Sequence, residues 1–362
     1  MWKFILVFII AIHGLIHLLG FVKSFDLAPV KKLTGNISKT NGVFWLSTSI
    51  LSLITAYLII LHSDFWSYLG ICTAVLSQCL IFTAWKDAGF GTWANILILI
   101  TSVFTLGVVT FENGFKRDYS ALIERTHQND QELITEKDLN GLPSSVKRYL
   151  MYTGAVNNPK VSNMKVIFEG KFRTRGKDWF SFTSEQYNAF DEPERLFFMK
   201  ANMFGVTVPG YHNYKNGKAA MDIRLFGLYP LVFKSGAAMD TTETVTLFND
   251  MCLLAPATLI DQRIKWEIID SLAVKATFTT HGISVSANLY FNANGQLVNF
   301  KSYDRTEINA MTKYPFSTPV HRYKVLNEKN VMAEGDAVWQ YPDGKFVYGK
   351  FTLIDILYNV KK

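Results

Sequence analysis

"ISVSANLYFNANG" occupies residues 283–295, and its reading decides what the larger half of the chain is. Ile283, Val285, Ala287, Leu289 and Phe291 alternate with Ser284, Ser286, Asn288 and Tyr290. A period of two places the first set on one face of a strand and the second on the other. Asn294-Gly295 then offers the positive φ that a tight hairpin turn requires. The stretch reads as a half-buried antiparallel strand followed by a turn.

Working outward, the pattern repeats. In "KVIFEGKF" (165–172), Val166, Phe168, Gly170 and Phe172 share a face opposite Lys165, Glu169 and Lys171. Further hairpin signals are "RGK" at 175–177, "KNGK" at 215–218 and "PDG" at 342–344. From about residue 161 onward the sequence predicts roughly ten to twelve strands. One helix interrupts them at about 240–262, with Asp240 or Thr241 as its cap and Pro256 restarting it. The expected fold of 143–362 is therefore α+β: a large curved antiparallel sheet, half-barrel-like, with a few helices, around a cavity. A closed barrel and a sandwich are the alternatives.

Upstream, residues 112–142 form a charged linker with helical character. In "KRDYSALIERT", Tyr119, Leu122 and Ile123 fall on one side, and Thr135 with Asp138 three later resembles a helix N-cap. "LPSSVKRYLMYTGA" is a short amphipathic helix opened by Pro143 and its serines, with Val146, Tyr149 and Leu150 on its apolar face and Gly154 at its end.

Residues 1–111 are different in kind. Four apolar segments, at about 4–22, 43–61, 67–85 and 94–111, each approach the ~20 residues that cross a hydrocarbon core. The first is too long for a signal-peptide core and lacks a small-x-small cleavage site, so it is expected to be retained. The expectation is a four-helix transmembrane domain. Its first loop carries Lys23, Lys31, Lys32 and Lys39, its second no Lys or Arg, and its third Lys86. The positive-inside rule then places the 143–362 domain outside the cytoplasm, on a multi-pass protein of the cytoplasmic membrane. Trp66, Trp85 and Trp93 lie near span ends, as interfacial anchors would.

The 362-residue chain has a net charge of +7, but its basic residues are scattered, which argues against nucleic acid as a partner and leaves membrane lipid. Cys72 and Cys79 sit two turns apart in one apolar segment and Cys252 is alone, so no disulfide or zinc pattern follows.

Within "IHGLIHLLGF" (12–21), His13 and His17 share a helix face with Gly20 and Ser24. That polar, small face should look into the bundle, with Ser77 and Gln78 as neighbours at similar depth. The pair reads as neutral imidazoles hydrogen-bonded to another helix. A ligand, proton or metal role is the rival, although no intramembrane carboxylate joins them.

Five blocks, "LPSSVKRYL…TGA", "F…GKFR…W…F…EQY", "GYHNYKNGKAAMDIRLFG", "GAAMDTTETVTLFNDMCLLAPATL" and "VWQYPDGKFVYGKFTLIDILYNV", resemble in order an uncharacterised bacterial family that carries this β-rich domain beside membrane helices. The resemblance covers about 141–362 and implies no activity. At the level of fold alone, the expected sheet is similar to the half-barrel of bacterial lipoprotein carriers, which hold acyl chains in a concave face.

The sequence holds no Gly-x-Ser-x-Gly, His-Glu-x-x-His or phosphate-binding glycine loop, so no catalytic residue, metal or cofactor is assigned. Cys252 reads as core, and His212, His281 and His321 are dispersed. Charges in apolar surroundings are more informative: Asp222 and Arg224 on one strand, Asp240 and Glu243 at a helix start, Asp304 and Arg305. Their plain reading is solvated faces and ion pairs. Their functional reading is a cavity mouth that recognises a head group, with Trp179, Phe197, Phe198, Tyr211, Trp339, Tyr341 and Tyr348 as candidate aromatic walls. The ligand-binding candidates are thus Asp222, Arg224, Asp240, Glu243, Arg305, Trp339 and Tyr348. The expected function is binding of a lipid, a lipoprotein acyl chain or another amphipath. The rivals are a redox or metal protein built on His13/His17 and a structural assembly partner.

Overall fold

The computed structural model describes residues 2–126, 132–203 and 205–361. Within the expected linker, residues 127–131 lie outside the described residues. The chain divides into two compact units: Met1–Phe111 with Phe226–Leu228, and Glu112–Leu225 with Tyr229–Lys362.

Apolar helices build the first unit: α1 (Trp2–Ser24), α2 (Lys39–Ile60), α3 (Trp66–Thr83), the single turn α4 (Trp85–Ala88) and the start of α5 (Gly91–Thr126). Four of them, α1, α2, α3 and α5, are long and apolar enough to cross a membrane. Helices α1 and α2 pack closely because α1 offers glycine at the contact. A Cβ on Gly20 would fall 2.2 Å from the Trp45 ring, and one on Gly14 would fall 2.6 Å from the Ser52 Cβ. Three buried hydroxyls of α2 are satisfied within their own helix: Thr48 donates to the Phe44 carbonyl, Ser52 to Thr48 and Thr55 to Leu51, whereas the Ser49 hydroxyl has no partner among the described residues. Trp85 and Trp93 are exposed, whereas Trp66 is buried in the helical core. The expected boundary after residue 111 is not a break in the helix. Helix α5 runs on to Thr126 because 112–126 contains no proline and places Glu112 and Lys116 one turn apart in an ion pair of 3.4 Å.

The second unit contains α6 (Ser144–Tyr152), α7 (Ala237–Leu253) and fifteen strands among the described residues. The first six are β1 (Asn163–Phe172), β2 (Phe180–Ala189), β3 (Glu194–Met203), β4 (Val206–Lys215), β5 (Lys218–Leu225) and β6 (Tyr229–Ser235). Beyond α7 come β7 (Ile264–Ile268), β8 (Ala273–Thr280), β9 (Ile283–Phe291), β10 (Leu297–Ser302), β11 (Thr306–Glu307) and β12 (Thr312–Lys313). The last three are β13 (Phe316–Leu326), β14 (Lys329–Tyr341) and β15 (Gly344–Tyr358).

Thirteen strands form one antiparallel sheet in the order β6-β5-β4-β3-β2-β1-β15-β14-β13-β10-β9-β8-β7, and β11 pairs with β12 alone. The sheet is open, with β6 and β7 as its edges. The strand count exceeds the ten to twelve expected, since two-residue strands such as β11 and β12 are too short to show alternation. The quoted strand behaves as read: Val285, Ala287, Leu289 and Phe291 are buried. The "KNGK" turn joins β4 to β5 with φ of +50° at Asn216 and +73° at Gly217, the two left-handed residues of a type I′ hairpin.

Helix α7 links the two edges in sequence. It packs against β4, β5 and β6 at one end of the sheet and β9 and β10 near the other. An antiparallel sheet can touch one helix from both ends only by curving around it. The apolar side of α7 supplies the core: Phe248 stacks against Phe278 at 5.4 Å and meets Phe300 edge-on at 5.8 Å. Helix α6 closes the same core through Tyr149, whose hydroxyl donates to the Cys252 carbonyl at 2.8 Å.

The expected capping of this helix is corrected. It begins at Ala237 after Gly236, and neither Asp240 nor Thr241 caps it. It stops at Leu253, and 256–260 forms a separate 3-10 turn.

Candidate functional site

Because α7 is held off part of the curved sheet, a cavity of about 770 Å³ remains between them. Alternation along the strands decides what lines it. Phe197 and Met199 of β3, Met221 and Ile223 of β5, and Trp339 and Tyr341 of β14 all point inward. Helix α7 gives its other face, with Thr242, Glu243, Thr246, Asn249 and Asp250 at spacings of three and four. The strands thus supply most of the aromatic and aliphatic lining, together with Gln186, Arg195 and His212, and α7 supplies a polar face.

The polar groups of the cavity are organised by Arg195, an inward residue of β3 that is 7% exposed. Its Nε donates to Asp250 Oδ2 at 2.8 Å, Nη1 to Glu243 Oε2 at 3.1 Å and Nη2 to Gln186 Oε1 at 3.0 Å. Gln186 Nε2 donates to Asp250 and to Asn188, and Asn188 donates to Asp250 in turn. His212 Nδ1 lies 3.8 Å from Glu243 Oε1. Burial works to raise the Glu243 carboxyl, but the charge of Arg195, with His212 and Arg305 beyond it, holds it at about 2. Burial prevails at Asp250, whose carboxyl is raised despite Arg195, Asn188 and Gln186. Arg195 remains charged: burial would lower it, and the two carboxylates more than reverse that.

Arg305 stands apart from this cluster. Its guanidinium lies over the rings of Phe316 at 4.1 Å and Trp339 at 5.3 Å. Its Nη1 donates to the Tyr348 hydroxyl at 2.7 Å.

Of the seven binding candidates, Glu243, Arg305, Trp339 and Tyr348 line the cavity. Asp222 and Arg224 do not. They share the opposite face of β5 from Met221 and Ile223, and pair with each other at 2.7 Å. Asp240 does not line it either; its carboxylate accepts from the Ala219 amide at 2.8 Å and from Lys218 Nζ at 3.0 Å. Asp304 is likewise tied to the Ser286 amide and hydroxyl. Among the aromatics, Phe197, Trp339, Tyr341 and Tyr348 face the cavity. Phe198 and Tyr211 instead pack on Phe115 of α5, and Trp179 covers Arg173.

Sequence reasoning missed Arg195, Gln186 and Asp250. The signal was present for the first: in "ERLFFMKANM" the alternation that turns Phe197 and Met199 inward carries Arg195 with them. An arginine on an apolar face implies buried acids.

The histidine pair lies in the helical unit. His13, His17, Gly20 and Ser24 are all buried. His13 Nε2 sits 2.9 Å from both Ser77 Oγ and Asn95 Oδ1, while His17 Nδ1 donates to the His13 carbonyl at 2.8 Å. Gln78 joins one step removed, accepting from Asn95 Nδ2 at 2.9 Å. The His17 ring lies 4.9 Å from Trp45. Among the described residues no three His, Cys, Asp or Glu side chains converge as metal ligands.

Residues 132–351 match a protein family described only as being of unknown function. No curated protein matches the chain. Among solved structures, a LolA superfamily protein from Nitrosomonas europaea aligns at a TM-score of 0.35 and 8% identity, over 59% of this chain and 92% of that one.

Proposed function

This chain belongs to the DUF6544 family, which carries no assigned activity, and from its geometry we propose that the β unit binds an amphipathic ligand, a lipid or an acyl chain, in the cavity beneath α7. One observation carries the reading. A cavity of about 770 Å³ lies within the range of small-molecule sites, roughly 300–1,000 Å³, and its lining combines aromatic and aliphatic strand residues with a polar face of α7. An apolar chain buried against Phe197, Met199 and Met221 gains hydrophobic free energy. The head group then lies toward Glu243, Arg305, Trp339 and Tyr348. The Arg195 cluster satisfies its own charges and acts as the scaffold that fixes α7 to the sheet.

The four apolar helices support membrane attachment, and the loop charges support an extracytoplasmic β unit on the cytoplasmic membrane. A compartment-sensitive reporter fused after Lys362 tests the topology. Lipid extraction from the full chain, purified in detergent, tests the ligand. An amphipath retained near one per chain after exhaustive delipidation is expected, and a chain stripped to none refutes the reading.

A further inference from the structure

Four arginines line the cavity, Arg173, Arg175, Arg195 and Arg305, and two of them, Arg195 and Arg305, differ in one respect. Arg195 spends its guanidinium on two carboxylates and an amide oxygen. Arg305 makes a single hydrogen bond, to Tyr348, and among the described residues no carboxylate lies within ion-pair distance of it. Its Nε is shielded from solvent and has no partner. Glu243, the acid whose charge it feels, is already held by Arg195. A cation facing a largely apolar cavity without a counter-ion is costly unless something supplies one. The rings of Phe316 and Trp339 and the Tyr348 hydroxyl hold the guanidinium at the cavity lining, and among the described residues Nη2 makes no hydrogen bond. A planar fork held in this way matches a pair of anionic oxygens. The half-exposed Arg173 lines the same cavity over the rings of Trp179 and Phe346, and its one side-chain hydrogen bond runs to the Val347 carbonyl. Among the described residues it is a second guanidinium with no carboxylate within ion-pair distance.

We propose that Arg305 is the anion-reading residue of this cavity and that the ligand is an amphipath whose head is a carboxylate or a phosphate, with Arg173 adding positive potential. The inference rests on the cavity being a ligand site and adds the sign of the head group to it.

The test compares three probes on the full chain in nanodiscs by equilibrium binding: palmitate, 1-palmitoyl lysophosphatidic acid and the neutral hexadecanol. In the wild type at least one anion should bind about 10- to 100-fold more tightly than hexadecanol, the effect of one or two charge-assisted hydrogen bonds. The stronger of the two anions identifies the head group. Arg305→Gln should collapse the anion-to-hexadecanol ratio toward one, Arg305→Lys should restore part of it, and Tyr348→Phe should lower it by a smaller factor. Arg224→Gln, outside the cavity, should keep the wild-type ratio, and a thermal melt of each variant confirms that it is folded. A wild-type ratio near one, or one that survives Arg305→Gln, overturns the anion assignment and leaves the ligand site standing. Binding of none of the three probes overturns the site and the assignment together.

Discussion

Replacing Arg195 by Met removes the centre of the cavity's polar groups while keeping much of its aliphatic bulk. The substitution leaves Glu243 and Asp250, 3% and 7% exposed, without their cation. Gln186, Asn188 and His212 remain as partners, but none supplies a fixed positive charge. Removing one member of a buried ion pair costs about 3–5 kcal/mol, most of it from the charge left behind. For a unit of this size that corresponds to a fall in Tm of roughly 6–20 °C. The triple variant Arg195→Met/Glu243→Gln/Asp250→Asn should recover more than half of the loss, because it removes the stranded charges and keeps most of the volume. Urea unfolding of the full chain in detergent, followed by tryptophan fluorescence, measures each step. A single-variant cost below about 1 kcal/mol, or a triple variant no better than the single, would refute the claim that this cluster holds α7 to the sheet.

Acid titration tests the same cluster from another side. The depressed Glu243 carboxyl contributes stability that is present above about pH 4.5 and lost as pH falls toward 2, on the order of 3 kcal/mol for a shift of that size. Asp250, raised, contributes with the opposite sign, its share being present below its ordinary value and lost as pH rises. Glu243→Gln should therefore be less stable than wild type at pH 7, with the gap narrowing at pH 3; a gap of constant size contradicts the assignment. Burial pushes the Cys252 thiol far up, so in a Cys72→Ser/Cys79→Ser background iodoacetamide should label it only after unfolding, as read by intact mass. Tyr149→Phe, which removes the bond from α6 to the Cys252 carbonyl, should cost about 1 kcal/mol in the same urea assay, and no measurable change would show that this bond does not join the two helices.

Much of the architecture can be read locally because its determinants are local. Alternation at 283–291 and 165–172, and Asn216-Gly217 at a turn, each act within one strand or hairpin. Apolar length at 2–24 or 39–60 does the same for the helices. The site is less legible because it depends on register. Asp222 looks like a binding residue until β4 and β6 fix which way β5 faces, and it is Met221 and Ile223 that turn inward. Asp240 looks like a cap until β5 presents the Ala219 amide to it. Asp250 could be recognised only with Arg195, 55 residues away, brought across from β3. Asn95 escaped notice in the same way, since this residue of α5 meets His13 only once α1 and α5 are packed.

Native mass spectrometry of the full chain released from nanodiscs, with and without Met199→Trp/Met332→Trp, addresses the central claim most directly. Both methionines line the cavity, and two indoles there would occupy the space that a chain needs. An amphipath adduct on the wild type that disappears from the filled variant is the predicted result. No adduct on the wild type, or an adduct that persists when the cavity is filled, would contradict the account.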